Sequence, residues 1–122
     1  MTARYPYPAP IDAYGNGGFR FAGMSHRGSI LCLPSGIHSW PATTIDGLTE
    51  ADLAPVLVDK DRFDVLLLGT GASFCLPAAD IRSVLSDAGV WLETMTTGAA
   101  ARTYNVLLEE GRSVGAALIA VE

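Results

Sequence analysis

Two segments in the second half of the chain combine glycines, hydroxyl side chains and one arginine, as anion-binding loops do. One segment, Gly69 to Ser73, and the other, Thr96 to Asn105, each follow an apolar run. In an α/β protein both would stand at the carboxyl ends of parallel strands, where ligands collect beside helix N-termini. Free amides and hydroxyls there would hold a carboxylate or phosphate, with Arg102 adding positive charge. The candidate ligand-binding residues are Gly69, Thr70, Gly71, Ser73, Thr96, Thr97, Gly98, Ala99, Arg102 and Asn105.

The helix predicted over residues 98–110 carries its charges in the reverse of the usual order. Helices favour acids in the first turn and bases in the last, because the aligned peptide dipoles leave the N-terminus partly positive. Here no carboxylate occurs from Thr97 to Leu108, Arg102 lies near the start, and Glu109 and Glu110 stand at the end. We interpret the missing acids as room for an anionic ligand. The alternative is that Thr96 or Thr97 only caps the helix and that Arg102 is solvated or paired elsewhere.

The first loop also partly matches a dinucleotide-binding fingerprint. Gly69 and Gly71 follow a predicted strand, and Glu93 lies on the next strand, where a ribose-binding acid is expected. The third glycine of the fingerprint is replaced by Phe74. The pattern therefore favours a structural turn over a nucleotide site.

The other chemistry-bearing side chains are scattered. Cys32 and Cys75 are far apart, and His26 and His38 are isolated, so no metal-ligand spacing occurs. We expect His26 to lie in a hairpin loop and Cys75 to be an unactivated thiol. The sequence predicts no metal, no cofactor and no catalytic residue, and it favours a non-enzymatic role.

Composition limits the possible partners. Hydrophobic residues make up 49% of the chain and charged residues 17%, below the ~25% charged residues of average soluble domains. This predicts an apolar surface covered by a protein partner or in a homo-oligomer. The net charge of −5 and the scattered basic residues argue against nucleic-acid binding. The longest apolar run, Val114 to Val121, is too short to span a bilayer, so we expect no membrane span.

The elements that would position these residues can be read from apolar periodicity and turn signals. The first half predicts short strands separated by glycine-rich turns, then a helix opened by Thr49, whereas the second half alternates strands and helices. The predicted strands are 11–14, 19–22, 28–33, 37–40, 63–68, 90–95 and 114–121, and the predicted helices are 49–57, 77–88 and 98–110.

These elements predict a single α/β domain over residues 11–122, preceded by an extended proline-rich arm over residues 1–10. Alternating strands and helices imply parallel strands joined by right-handed crossovers. We expect three layers: a mixed central sheet, helices on one side, and a small antiparallel sheet or ribbon on the other.

Four segments of the chain resemble those of a known family: Asp64 to Gly71, Val90 to Met95, Thr97 to Ala100, and Arg102 to Leu107. It is the family of small α/β proteins of uncharacterised function that includes the mitochondrial respiratory complex I assembly factor three and its bacterial and archaeal relatives. The resemblance covers nearly the whole chain. It implies a compact three-layer fold without an established activity or cofactor and, for the mitochondrial branch, an interaction role during assembly of NADH dehydrogenase.

The N-terminus shows no Arg-rich amphipathic presequence, so we expect a bacterial or mature form, cytoplasmic in bacteria. The preferred hypothesis is a non-enzymatic accessory protein that binds respiratory complex subunits or assembly factors. The rival hypothesis is a binder of, or enzyme acting on, a small anionic metabolite in the crevice at the carboxyl ends of the parallel strands.

Overall fold

A computed structural model describes residues 3–122; Met1 and Thr2, at the start of the predicted arm, lie outside the described residues. The elements follow one another as β1 (Ile11–Gly15), β2 (Gly18–Phe21), β3 (Met24–Arg27), β4 (Ser29–Leu33), β5 (Gly36–Trp40), α1 (Glu50–Val58), β6 (Val65–Gly69), α2 (Ala79–Asp87), β7 (Leu92–Met95), α3 (Thr97–Glu109) and β8 (Val114–Leu118). A short 3₁₀ turn over Lys60–Arg62 precedes β6.

The central layer is a five-stranded mixed sheet in the order β5-β4-β8-β6-β7. The two crossovers make β6 parallel to both β7 and β8, as the alternation of strands and helices predicts. The hairpin of β4 and β5 extends the sheet in antiparallel fashion beside β8. Leu66, Leu67 and Leu68 of β6 are all buried, as expected for a strand covered on both faces.

The small antiparallel sheet has the order β1-β2-β3. The prediction that residues 23–27 form only a turn is wrong, because Met24–Arg27 pairs with β2 as a third strand. His26 therefore lies opposite Phe19 in a strand and not in a hairpin loop. The segment was missed because its alternating half-buried and exposed residues are few and mostly polar.

Hydrophobic cores occupy both faces of the central sheet. One core joins α1 and α2, through residues such as Leu53 and Leu85, to one face. The other joins α3, through Ala100 and Tyr104, and the small sheet, through Phe21, to the opposite face. The three-layer α/β fold is confirmed.

The distribution of helices over the two faces differs from the prediction, because α3 shares its face with the small sheet. The physical reason lies in the strand order. The crossover from β6 to β7 and that from β7 to β8 run in opposite directions along the sheet. Right-handed crossovers of opposite direction place their helices on opposite faces.

The described part of the N-terminal segment packs on the domain. The amide of Ile37 in β5 donates to the carbonyl of Tyr5 at 2.9 Å. The hydroxyl of Tyr104 in α3 donates to the carbonyl of Ala9 at 3.1 Å, and Ala9 is buried. These contacts tie residues 5–9 to β5 and to α3.

Candidate functional site

The two predicted ligand loops meet, because β6 and β7 are neighbours. Gly69 pairs with Met95 in the parallel register. One residue further on, the amide of Thr70 donates to the carbonyl of Met95 at 2.9 Å, and the amide of Thr97 donates to the carbonyl of Gly71 at 3.0 Å. The two loops are therefore joined by backbone hydrogen bonds at the carboxyl ends of β6 and β7.

Thr97 is the centre of this contact and is fully buried. Its hydroxyl donates to the carbonyl of Ile119, the residue after β8, at 2.7 Å and accepts from the amide of Gly71 at 2.9 Å. Gly69 is required beside it, because a Cβ at position 69 would lie 2.9 Å from the Cα of Thr97. We call the group Gly69, Gly71, Thr97 and Ile119 the Thr97 junction.

The first turn of α3 uses most of its donors within the protein. The amide of Ala99 reaches the hydroxyl oxygen of Thr96 at 3.4 Å, and the amide of Ala100 donates to the Thr96 carbonyl at 2.9 Å. Thr96 is thus the helix cap, which is the alternative described from the sequence. The buried junction also accounts for the missing acids, because a carboxylate packed there would lose its hydration.

Gly98 differs from its neighbours in this turn. Within residues 3–122 its amide donates to no acceptor. A Cβ at this position would overlap the hydroxyl of Tyr14, so the ring of Tyr14 crosses the helix at this point. Tyr14 therefore covers the side of α3 at Gly98.

Thr70 and Ser73 close the first loop on itself. The hydroxyl of Thr70 donates to the carbonyl of Ser73 at 2.7 Å, and Thr70 is buried. Ser73 itself is exposed, and only its carbonyl takes part in this contact.

Asn105 performs a structural role that the sequence did not predict. Its side-chain oxygen accepts from the amide of Ile11, and its side-chain nitrogen donates to the carbonyl of the same residue, both at 2.8 Å. The amide group thus pairs with β1 as a neighbouring strand would. The prediction of Asn105 as a ligand-binding residue did not include this contact, since spacing in the sequence cannot show a pairing between residues so far apart in the chain.

Arg102 is exposed and lines a groove of about 360 Å³ between α3 and β1. Gly98, Asn105 and Tyr14 line the same groove. Of the ten candidate residues, the structure brings Gly98, Arg102 and Asn105 to this groove and ties Gly69, Gly71 and Thr97 together in the junction. Anion binding at Gly98 and Arg102 stays a prediction.

A second groove, of about 440 Å³, lies along the small sheet and includes Arg20, Arg27 and His26. Tyr14 belongs to both grooves. Within residues 3–122 neither Arg20 nor Arg27 forms an ion pair. Sequence reasoning missed this groove, because without β3 nothing placed Arg27 beside Arg20.

Burial shifts the pKa values of several titratable groups. It raises the pKa of the Cys32 thiol and that of the Tyr104 phenol, so Cys32 is a poor nucleophile. Burial, and then the positive charge of Arg4, lower the pKa of His26. Its Nε2 is buried without a hydrogen-bond partner in the described part of the chain.

Among residues 3–122, no group of three or more His, Cys, Asp or Glu side chains could hold a metal ion.

Several large apolar side chains are exposed on the surface of the domain. Trp91, next to β7, is 67% exposed, and Val106 on α3 is 53% exposed. Phe74 and Leu76, in the loop after β6, are also exposed. Exposed aromatic residues of this size are more frequent in protein interfaces than elsewhere on protein surfaces.

None of the helices described over residues 3–122 has the length and apolar character needed to cross a membrane.

Comparison with known proteins relates the chain to bacterial and mitochondrial relatives. It is 44% identical over 110 residues to an uncharacterized protein of Rhodobacter capsulatus, covering 90% of this chain and 83% of that protein. It is 27% identical to the mouse NADH dehydrogenase [ubiquinone] 1 alpha subcomplex assembly factor 3, covering 98% of this chain but 64% of the mouse protein. The chain thus spans less than two thirds of that relative.

A solved structure shows the same fold. The crystal structure of a protein from Bartonella henselae, described as an outer membrane protein, matches with a TM-score of 0.92 and 51% identity over 98% of this chain and 100% of that one. The family model for a protein of unknown function (DUF498/DUF598) matches residues 11–119. The chain therefore belongs to the DUF498/DUF598 family, to which the resemblance seen in the sequence had pointed.

Proposed function

We propose that this chain is a non-enzymatic accessory protein that binds another protein and assists the assembly of a respiratory NADH dehydrogenase. The observation that carries the proposal is the alignment of 98% of this chain with a relative named as an assembly factor for that enzyme. In a bacterium we expect it to act from the cytoplasmic side, and a homo-oligomer stays a further prediction.

The surface of the molecule supports a binding role. The polar groups at the Thr97 junction are satisfied within the protein, whereas Trp91 and Val106 expose apolar side chains to solvent. Ordering such side chains against a partner removes apolar area from water, at roughly 25 cal/mol per Å² of apolar surface buried. Burial of Trp91 or Val106 against a partner therefore stabilises a complex more than contact with the junction, whose polar groups are already paired.

The test is recovery of the tagged protein from its native cell under gentle conditions. We expect subunits or assembly factors of NADH dehydrogenase to co-purify reproducibly, and we expect deletion of the gene to lower the amount of assembled enzyme. A tagged protein of similar size from another family serves as the control. Recovery of no reproducible partner, with normal levels of the enzyme in the deletion strain, would contradict the proposal.

A second candidate function is the binding of a small anionic metabolite. The specific observation in its favour is a groove lined by Arg102 and by Gly98, whose amide has no acceptor within residues 3–122. A helix amide and an arginine form a suitable pair of donors for a carboxylate or phosphate.

Calorimetry against a panel of carboxylates and nucleotides tests this candidate. We expect a saturable heat with at least one anion, weakened about tenfold or more in Arg102→Ala, since a hydrogen bond to a charged group contributes roughly 1.5–3 kcal/mol. Arg112→Ala, a second exposed arginine outside the groove, is the matched control. If no compound of the panel gives a heat of binding, this candidate function is excluded.

A further inference from the structure

One edge of the central sheet is open and the other is covered. β7 is the last strand of the order β5-β4-β8-β6-β7, so within residues 3–122 no strand lies beyond it. At the opposite edge, β5 is bridged by the N-terminal segment, where Tyr5 pairs with Ile37. Open edges invite pairing with other chains, and proteins usually protect them.

The backbone of β7 has unused hydrogen-bonding groups. The carbonyls of Trp91 and Met95 accept hydrogen bonds of 2.8 and 2.9 Å from amides of β6 and of the residue after it. Because the backbone groups of successive residues in a strand point to opposite sides, those of Leu92 and Thr94 point away from the sheet. Each offers an N–H and a C=O to an additional strand.

The side chains along this edge form an aromatic and acidic surface. The indole nitrogen of Trp91 donates to the Glu93 carboxylate at 2.8 Å, so the two side chains lie together along the strand. Met95, two residues further on, packs into the core beside α3, which places all three side chains on the face that carries α3. We call Trp91 to Met95 the β7 edge.

The chain around the β7 edge is acidic. From Ser83 to Gly111 the only basic residue is Arg102, and it lines the groove on the β1 side of α3. The acids of the same stretch are Asp87, Glu93, Glu109 and Glu110. Asp87 and Glu109 are the last residues of α2 and α3. No basic residue lies between Asp87 and Glu93, so the nearest charged residues of the chain on either side of Trp91 are both acidic.

We propose that the β7 edge binds an extended segment of a partner protein as a sixth strand, with a basic side chain of that segment opposite Glu93 and an apolar side chain against Trp91. This inference rests on the proposed function and names the surface and the partner chemistry. A second copy of this chain fits less well. The fullest antiparallel overlap of two β7 strands, with Leu92 opposite Thr94, sets Glu93 directly against its own copy, and like charges in that position repel.

Site-specific photo-crosslinking in the native cell tests the location. The photoreactive p-benzoylphenylalanine replaces Trp91 in one variant and Val58, which is 82% exposed at the end of α1, in the control. We expect the variant at position 91 to crosslink a protein through a segment that carries lysine or arginine between β-branched or aromatic residues, and the variant at position 58 to crosslink nothing.

The outcomes separate this inference from the proposed function. A partner crosslinked from position 58 and not from position 91 overturns the β7 edge and leaves protein binding in place. A crosslink from position 91 only to a second copy overturns the choice of occupant. Silence from both positions, together with no co-purified partner, contradicts both proposals.

Charge reversal tests the chemistry of recognition. In the protein with the photoreactive residue at position 91, we expect Glu93→Lys to lower the crosslinked fraction about fivefold, since a favourable cross-strand ion pair becomes a repulsive one. Glu122→Lys makes the same change in net charge beside Gly17 on the small sheet and should leave the fraction unchanged. Thr94→Pro, which removes one outward amide, should also lower it.

Thermal unfolding of each variant shows that the domain stays folded. Equal crosslinking in Glu93→Lys, Thr94→Pro and Glu122→Lys, with normal folding, would show that Trp91 is contacted without strand addition. That result overturns the inference.

Discussion

The Thr97 junction and the β7 edge lie on the same strand-to-helix unit and use their polar groups in opposite ways. At the junction, the hydroxyl of Thr97 and the amide of Gly71 are buried and bonded to each other. At the β7 edge, Leu92 and Thr94 have backbone groups that pair with no strand within residues 3–122, and Trp91 exposes most of its surface. A cluster of polar residues in the sequence therefore marks a place where polar groups must be satisfied, by a ligand or by the protein itself.

The largest expected effect comes from removing the central hydroxyl of the junction. Thr97→Val keeps the shape of the side chain but leaves the amide of Gly71 and the carbonyl of Ile119 buried without this partner. We expect the free energy of unfolding to fall by about 2–4 kcal/mol, because each unsatisfied buried group costs roughly 1–3 kcal/mol. Urea denaturation measures it. Thr103→Val, at a half-buried position of α3, is the control, and a similar loss in both variants would refute the role of the junction.

The next effect separates Asn105 from Arg102, which line the same groove. Asn105→Ala removes both hydrogen bonds to the backbone of Ile11, and we expect a loss of about 1–3 kcal/mol in the free energy of unfolding. Arg102→Ala should change it by less than about 0.5 kcal/mol, because exposed substitutions have small effects. If Asn105→Ala is equally mild, the side chain is available for a ligand after all.

A smaller effect on the free energy of unfolding is expected when the pH is lowered. The folded protein holds His26 and His38 at lowered pKa values, chiefly through burial; Arg4 adds to the effect at His26, and Asp59 opposes it at His38. The unfolded chain, with the ordinary pKa of 6.5, therefore binds protons first, so these groups destabilise the fold as pH falls below that value. We expect urea midpoints to decrease between about pH 7 and pH 5 and His26→Gln to flatten the decrease. An unchanged slope in that variant would exclude His26.

The smallest effect on stability is expected at the β7 edge. Trp91→Ser should change the free energy of unfolding by less than about 0.5 kcal/mol, since the side chain is mostly exposed, yet it should abolish partner recovery in the co-purification assay. A loss of stability comparable to that of Asn105→Ala would assign Trp91 to the fold instead. Val58→Ser is the control for the removal of an exposed apolar side chain.

The fold could be predicted well from the sequence where apolar runs were long and bounded by turn residues. The run before Gly69 became β6, and the segment after Thr96 became α3 within one residue at each end. The parallel arrangement followed from the alternation of strands and helices. The strand β3 was not predicted, because four residues with two half-buried side chains give too weak an alternation of apolar and polar positions.

The candidate site could be predicted only in part. The adjacency of the two loops is confirmed, because neighbouring parallel strands end at one edge. The hydrogen-bond partners of the candidate side chains could not be predicted. The Thr97 hydroxyl donates to the carbonyl of Ile119, and the Asn105 amide donates to the carbonyl of Ile11. Both partners are remote in the chain, and only packing brings them within 3 Å.

The order and type of most elements and the reversed charge pattern of α3 follow from the sequence, because these are local properties of periodicity and composition. Tertiary structure alone decided which face α3 covers, which hydroxyls are satisfied internally and which strand is left at an open edge. The physical reason is that strand order and burial depend on contacts between residues far apart in the chain. The same hydroxyl binds a ligand or a neighbouring carbonyl according to which of the two the fold places beside it.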